Sequence, residues 1–224
     1  YEIIVVDDDS PAQTWKVAQT LAGAYPCLRV VRRINERGLA QAVVRGWREA
    51  RGEWLAVMDG DLQHPPETLA LLIKAVPLDD VDIAVASRNV RGGGVSRWNP
   101  FRRGISRLAT LAATWTFPAT LAAVRDPMSG YFALRRSVIE GCSLLPEGYK
   151  ILLEVLVRGR YRSVAEIPYL FVERKRGGSK MGPRQYFQFI MQLARLSWES
   201  GGAVRAPWLR RPSKTASFGR DPGG

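Results

Sequence analysis

Histidine is almost missing from this chain: His64 is the single one in 224 residues. The two cysteines, Cys27 and Cys142, are far apart and lack the close spacing of metal ligands. They are read as buried small hydrophobes of a reduced, cytosolic protein. Long apolar runs are missing too. Leu108 to Val124 carries no charge, but it falls at the lower end of the roughly 20 residues a bilayer crossing needs. It also holds four threonines and Pro118, which argues against a membrane-spanning helix and for a helix or helix pair lying at an interface. No secretory signal pattern and no internal repeat is found. Acidic residues are outnumbered, 21 against 33 Lys+Arg, for a net charge of +12. That excess suits a polyanionic partner, either nucleic acid or an anionic membrane surface, unless it is only a solvated surface. No nucleic-acid-binding pattern accompanies it, so the membrane ranks above nucleic acid.

What is present begins with Glu53 to Glu67. The short apolar run Trp54 to Met58 reads as a buried strand. It ends in Asp59-Gly60-Asp61, followed by Gln63, His64 and a Pro-Pro pair at a helix start. In open α/β sheets ligands bind beyond the carboxyl ends of the strands. Two carboxylates and a carboxamide there make a hard oxygen site for Mg²⁺ or Mn²⁺. An acidic loop capping the next helix is the alternative. His64 is read as packing, or as a hydrogen bond behind the loop, rather than as a base.

The chain start repeats the pattern. Glu2 to Val6 is a β-branched run ending in Asp7-Asp8-Asp9-Ser10-Pro11. A helix over Thr14–Tyr25 and a strand over Leu28–Val31 follow, so a parallel sheet with crossovers is expected. Asp9 or Ser10, with Pro11 behind it, is the expected helix start. One sheet edge would then carry a nucleoside-reading acid, Asp8, and the metal-holding pair.

These stretches resemble the family-2 glycosyltransferases, and within them the dolichol-phosphate (polyprenyl-phosphate) mannosyltransferases. The resemblance runs on through Ala86-Ser-Arg88 with Gly92-Gly93-Gly94, Arg102 to Arg107, Asp126-Pro-Met-Ser-Gly-Tyr-Phe132, Gly148 to Glu154 and Val172 to Lys180, nearly to residue 200. It implies a Rossmann-like nucleotide-diphospho-sugar transferase (GT-A) fold, α/β with a mixed, mostly parallel sheet flanked by helices. It also implies inverting transfer of mannose from GDP-mannose to dolichyl or polyprenyl phosphate, with transfer from a UDP-sugar as the alternative. By resemblance the donor lies against Val6, Asp8, Asp59, Gly60, Asp61, Arg88, Arg174 and Lys180, and Asp59, Asp61 and Gln63 hold the metal. Arg88, Arg102, Ser106 and Ser129 take the acceptor phosphate, and catalysis falls to Asp61, Arg88, Arg102 and Ser106. Members of the family begin with one more strand, so a domain over 1–200 that is N-terminally truncated is expected. A separate membrane-anchoring subunit is a further partner the family admits.

An anionic acceptor needs no strong base. It needs positive charge to gather two repelling anions, which the arginines can supply bidentately. Arg91, Arg97 and Arg103 are read as plain surface arginines. Gly148 to Arg158 is expected to be a helix whose Glu154 is either solvated or turned inward to orient a site arginine. In Gln185 to Glu199 the residues Gln185, Gln188, Gln192, Arg195 and Glu199 form one narrow stripe on an otherwise apolar helix. Such a helix is either core or lies in lipid, and Trp and Tyr favour a membrane surface. The basic, glycine-rich Arg174–Gly182 is expected to close over a bound diphosphate. Gly201 to Gly224 reads as a disordered basic tail. The whole is expected to sit peripherally on the cytoplasmic face of a membrane.

Overall fold

The computed structural model describes residues 1–76, 81–96, 100–145, 149–172 and 183–199. Strand β1 (Ile3–Asp7) leads through helix α1 (Thr14–Ala22) to β2 (Leu28–Arg32), and the two strands pair in parallel, Ile3 opposite Leu28. Helix α2 (Leu39–Glu49), β3 (Trp54–Val57), α3 (Pro66–Ala75) and β4 (Ile83–Ser87) follow. Next come the short β5 (Gly94–Val95), the long α4 (Pro100–Thr116), α5 (Pro118–Leu121) and β6 (Phe132–Arg135). Helix α6 (Ile151–Arg158), β7 (Val164–Pro168), β8 (Leu170–Phe171) and α7 (Pro183–Glu199) complete the order.

The main sheet has the order β3-β6-β4-β7. Strand β6 is antiparallel to both neighbours, while β4 and β7 are parallel. Every residue of β4 is buried, as a central strand covered on both faces requires. Its side chains alternate between two cores. Ile83 and Val85, with Phe132 and Leu134 of β6, meet α2, α6 and α7, while Ala84, Ala86, Tyr131 and Ala133 meet α3 through Leu72 and Val76. The β1–β2 pair is a separate sheet, so the expected single edge is two edges. Helix α2 joins them because Ala40, Val44 and Trp47 recur at helical spacing and are buried. Trp47 meets Phe132 edge-on at 6.3 Å, and Gly46 lies so close to β1 that an added Cβ would come 3.3 Å from Val6 Cγ2.

Several local expectations shift. The first helix starts at Thr14, not at Asp9 or Ser10, because Asp7 takes both the backbone N–H (2.7 Å) and the hydroxyl (2.9 Å) of Ser10 into a turn of its own. The uncharged run after Arg107 breaks at Phe117, giving α4 and then α5 with Pro118 at its start. Both cysteines are free and half-buried rather than buried, each sitting in a connection between elements. Among the described residues no helix is long and apolar enough to cross a membrane. The tail beyond Glu199 lies outside the described residues.

Candidate active site

Strands β3, β4 and β7 run the same way and β6 runs against them. One edge of the main sheet therefore gathers the loop after β3 (Asp59 to Gln63), Arg88 after β4, Tyr169 after β7, and Asp126 to Gly130 before β6. The β3 loop turns sharply, with Leu62 at φ 61° and the Gln63 N–H donating to Asp61 Oδ1 at 3.1 Å. The Asp59 carboxylate lies against Gly130, where a Cβ would come 3.4 Å from Oδ2. His64, 3% exposed, places Nε2 3.4 Å from that oxygen. The ring is boxed by Tyr131, Tyr169 and Phe171 at centroid distances of 4.7, 5.7 and 5.4 Å. Among the described residues His64 Nδ1 is buried without a hydrogen-bond partner, so the ring's polar contact is the one through Nε2, toward Asp59. That contact places the ring behind the carboxylate.

Asp59 is thus met through Oδ2 and Asp61 through Oδ1. The described residues contain no group of three or more His, Cys, Asp and Glu placed for a metal, which leaves Asp59 and Asp61 as the carboxylates this loop offers. That set fits a hard divalent ion whose other positions go to phosphate and water. Gln63, the expected third ligand, is buried. Its Nε2 donates to the Val172 carbonyl, and its backbone carbonyl accepts from Val172 N–H, both at 3.1 Å. In this arrangement it ties the β3 loop to the segment after β8. Gly60 is exposed at the tip of the loop.

Arg88 is fixed by Asp126. Its Nε and Nη2 donate to Asp126 at 2.8 and 2.7 Å, and its backbone N–H donates to the same group at 3.0 Å. Burial alone would lower the Arg88 pKa, but the hydrogen bonds and charge of Asp126 outweigh it and the net direction is up. With Asn89, Val90, Arg103, Ser106, Arg107 and Leu111 it lines a cavity of about 740 Å³. Arg88 and Ser106 are therefore brought together, and Arg103, read from sequence as plain surface, joins them. Ser129 is not brought with them. Its hydroxyl is buried and donates to the Ala86 carbonyl at 2.7 Å, locking the β6 loop to β4. The Arg102 side chain, Arg97, Arg174 and Lys180 lie outside the described residues, as does the expected closing loop Arg174–Gly182.

At the end of β1, Asp8 is already paired. Arg33, 3% exposed, donates through Nε to Asp8 Oδ1 at 2.6 Å and pairs with the same oxygen through Nη2 at 2.5 Å, while Gly38 N–H donates to Oδ2 at 2.9 Å. Val6 sits one position before Asp7 on β1, beneath α2. Arg33 and Asp126 are the residues that local sequence patterns do not single out. The only signal for Asp126 is its place in a Pro-Met-Ser-Gly loop before a strand.

The outer helices carry the other surface. Helix α7 turns Phe189, Gln192, Leu193 and Leu196 inward, and Phe187, Ile190, Met191, Ala194 and Trp198 outward. The polar stripe is thus largely an inner face. Gln192 Nε2 donates to the Lys150 carbonyl at 3.2 Å, Arg195 reaches Leu145 O and Glu154, and Glu199 pairs with Arg158. Glu154, fully buried, is turned inward as one reading expected, but it holds Arg158 (2.7 Å) and Arg195 (3.4 Å) rather than a site arginine. Helix α4 packs on α7 and exposes Arg103, Arg107, Leu108, Leu111 and Trp115.

Comparison with known proteins follows the geometry. Residues 1–142 match the model of Glycosyl transferase family 2. The chain is 46% identical over 200 residues to a dolichol-phosphate mannosyltransferase of Pyrococcus furiosus, covering 89% of this chain and 56% of that protein. It is 37% identical over 204 residues to the dolichol-phosphate mannosyltransferase of Saccharomyces cerevisiae, covering 87% of this chain and 74% of the yeast protein. This chain therefore spans little more than half of the Pyrococcus relative. In fold it is similar to glucosyl-3-phosphoglycerate synthase of Mycobacterium tuberculosis, with a TM-score of 0.61 at 18% identity over 88% of this chain and 68% of that one. It is also similar to a mannosyltransferase from Pyrobaculum calidifontis in complex with GDP-Man and Mn²⁺, with a TM-score of 0.54 at 20% identity over 92% and 62% of the two chains. By sequence the chain belongs to glycosyl transferase family 2.

Proposed function

We propose that this chain is the catalytic domain of an inverting transferase that moves mannose from GDP-mannose to a dolichyl or polyprenyl phosphate at the cytoplasmic face of a membrane, using Mg²⁺ or Mn²⁺. The observation that carries the reading is one sheet edge. The Asp59–Asp61 pair and the cavity lined by Arg88 and Ser106 share it, and helix α4, whose apolar face looks outward, forms part of the cavity wall. The names of the Pyrococcus and yeast relatives support the mannosyl donor and the lipid-phosphate acceptor. The Mn²⁺ bound to a protein of similar fold supports the metal.

In this reading an acceptor phosphate oxygen, already anionic, attacks the anomeric carbon as the bond to the diphosphate breaks, with inversion. Arg88, Arg103 and Arg107 gather the acceptor and lower its repulsion from the donor. A divalent ion held by Asp59 and Asp61 would offset the charge that builds on the leaving diphosphate. His64 keeps Asp59 oriented. Arg102, Arg174 and Lys180 complete the cationic set by the resemblance alone.

The exposed faces of α4 and α7 would lie on the headgroups, with Arg103 and Arg107 against anionic lipid and Trp115 and Trp198 at the interface. The test is donor profiling with GDP- and UDP-sugars and a short polyprenyl phosphate, with Mn²⁺ and with excess chelator. GDP-mannose turnover that the chelator abolishes is expected. Preference for a UDP-sugar would overturn the donor, and tight single-stranded nucleic-acid binding without transfer would overturn the whole reading.

A further inference from the structure

The mechanism above uses Arg88 but leaves its partner unexplained. Asp126 is fully buried, and a buried carboxylate is costly unless it is paired and hydrogen-bonded. Here it meets Arg88 three times: through the backbone N–H at 3.0 Å, Nε at 2.8 Å and Nη2 at 2.7 Å. The Nε–Nη2 contact is side-on, so it fixes the plane of the guanidinium as well as its charge. Asp126 is itself held from behind. Glu166 of β7 accepts the backbone N–H of Asp126 through Oε1 at 3.0 Å and that of Arg125 through Oε2 at 2.9 Å. Glu166 sits opposite Val85 in the β4–β7 register, two positions before Ser87, the last residue of β4. A rigid strand pair thus sets a carboxylate, the carboxylate sets an arginine, and the arginine lines the 740 Å³ cavity.

We infer that Asp126 is a positioning residue for the acceptor phosphate: it presents Arg88 to the cavity in one orientation, with Glu166 anchoring the loop that carries it. A plain fold-stabilising ion pair would need neither the side-on geometry nor the cavity. The role is assigned to the acceptor because Arg88 lines the cavity together with Arg103, Ser106 and Arg107 of α4. This inference rests on the reading of the cavity as an acceptor site.

The experiment is Asp126→Asn, Arg88→Gln and the double variant in the full chain. Binding of a short polyprenyl monophosphate without donor is followed by calorimetry, and the acceptor and donor KM by steady-state kinetics. Asp126→Asn should raise the acceptor Kd and KM on the order of ten- to a hundredfold, as misplacing a binding group does, and raise the donor KM far less. In the Arg88→Gln background the same change should add less than about twofold, since two groups acting as one unit are not additive. Full additivity, or equal losses for donor and acceptor, would overturn the positioning role while sparing the cavity. Failure of the unmutated protein to bind the monophosphate would overturn the cavity reading itself. If Asp126→Asn does not fold, Glu166→Gln reads the same relay from its anchor. It should weaken the acceptor selectively and to a smaller degree, and an unchanged acceptor KM would count against the proposal.

Discussion

His64 Nε2 lies 3.4 Å from Asp59 Oδ2, while its other ring nitrogen is buried without a hydrogen-bond partner. The ring has one polar contact and three aromatic walls, so its work is to hold a carboxylate still. His64→Ala frees that carboxylate, and Mn²⁺ affinity should fall about ten- to a hundredfold, the usual cost of losing a group behind a metal ligand. Electron paramagnetic resonance titration of Mn²⁺ in the absence of any sugar donor reads this directly. An unchanged titration would leave His64 as packing alone.

Asp61→Asn separates ligand from scaffold. Asp61 is half-exposed in the β3 loop and belongs to neither hydrophobic core. The variant should melt within a few degrees of the unmutated chain and lose on the order of a hundredfold or more of any metal-dependent transfer. Full activity in the variant, or in excess chelator, would remove the two-carboxylate argument.

A glycine controls the end of β4. A Cβ at Gly93 would come 2.4 Å from the Ser87 carbonyl oxygen and 3.1 Å from the Arg88 carbonyl carbon, both backbone atoms that cannot swing aside. Gly93→Ala must therefore shift the 92–94 turn or the strand end that carries Arg88. A stability loss of roughly 2 kcal/mol, in the range of strained-site substitutions, should come with a raised acceptor KM. Gly60→Ala serves as the contrast, because nothing lies within 4 Å of its added Cβ.

The local strands and their acidic endings were legible in the sequence, because an apolar run that stops at Asp59-Gly60-Asp61 or Asp7-Asp8-Asp9 marks a strand and its loop within a few residues. The insertion of β6 between β3 and β4 was not. Pairing of Val85 with Phe132 spans a large sequence separation that no local pattern encodes, and it is this pairing that carries Asp126 to Arg88. Helix α7 shows a second limit. Its 3.6-residue period locates a polar stripe, but only the partners Lys150, Glu154 and Arg158 on the body decide that the stripe faces inward. Asp8 reads from its place after β1 as a nucleoside-reading acid, and its pairing with Arg33 follows only from the β1–β2 alignment.

The outward faces of α4 and α7 predict two-part membrane binding. Arg103 and Arg107 contribute on the order of 1 kcal/mol each against an anionic surface and are screened by salt. Phe187, Ile190, Trp115 and Trp198 add burial at about 25 cal/mol per Å² removed from water, which salt does not screen. Binding to anionic vesicles should weaken in high salt without vanishing. The pair Phe187→Ser and Ile190→Ser, both outward and more than half exposed, should abolish the salt-resistant part without changing the melting temperature by more than a few degrees. Vesicle binding that high salt abolishes entirely in the unmutated chain would reduce the surface to charge alone.

Asp8 offers a test in which the structure changes the expected result. From its place after β1, Asp8→Ala should weaken donor binding and little else. Its carboxylate, however, is the chief partner of the buried Arg33, with Nε at 2.6 Å, and it also fastens Gly38 at the start of α2. Among the described residues, removing it leaves a guanidinium that is 3% exposed with only the Glu36 carboxylate, at 3.3 Å, and the Gly38 carbonyl, at 3.0 Å. Deleting one member of a buried pair costs about 3–5 kcal/mol, and partial exposure of Asp8 puts this case at the lower end, about 3 kcal/mol. Chemical denaturation should therefore show a large loss of stability whether or not nucleotide is present. Pairing Asp8→Ala with Arg33→Met should restore much of it, because the uncompensated charge goes while the packing volume stays. If nucleotide affinity, measured calorimetrically in that stable double variant, is unchanged, Asp8 acts as a brace between β1, β2 and α2; if it falls tenfold or more, the same carboxylate also reads the donor.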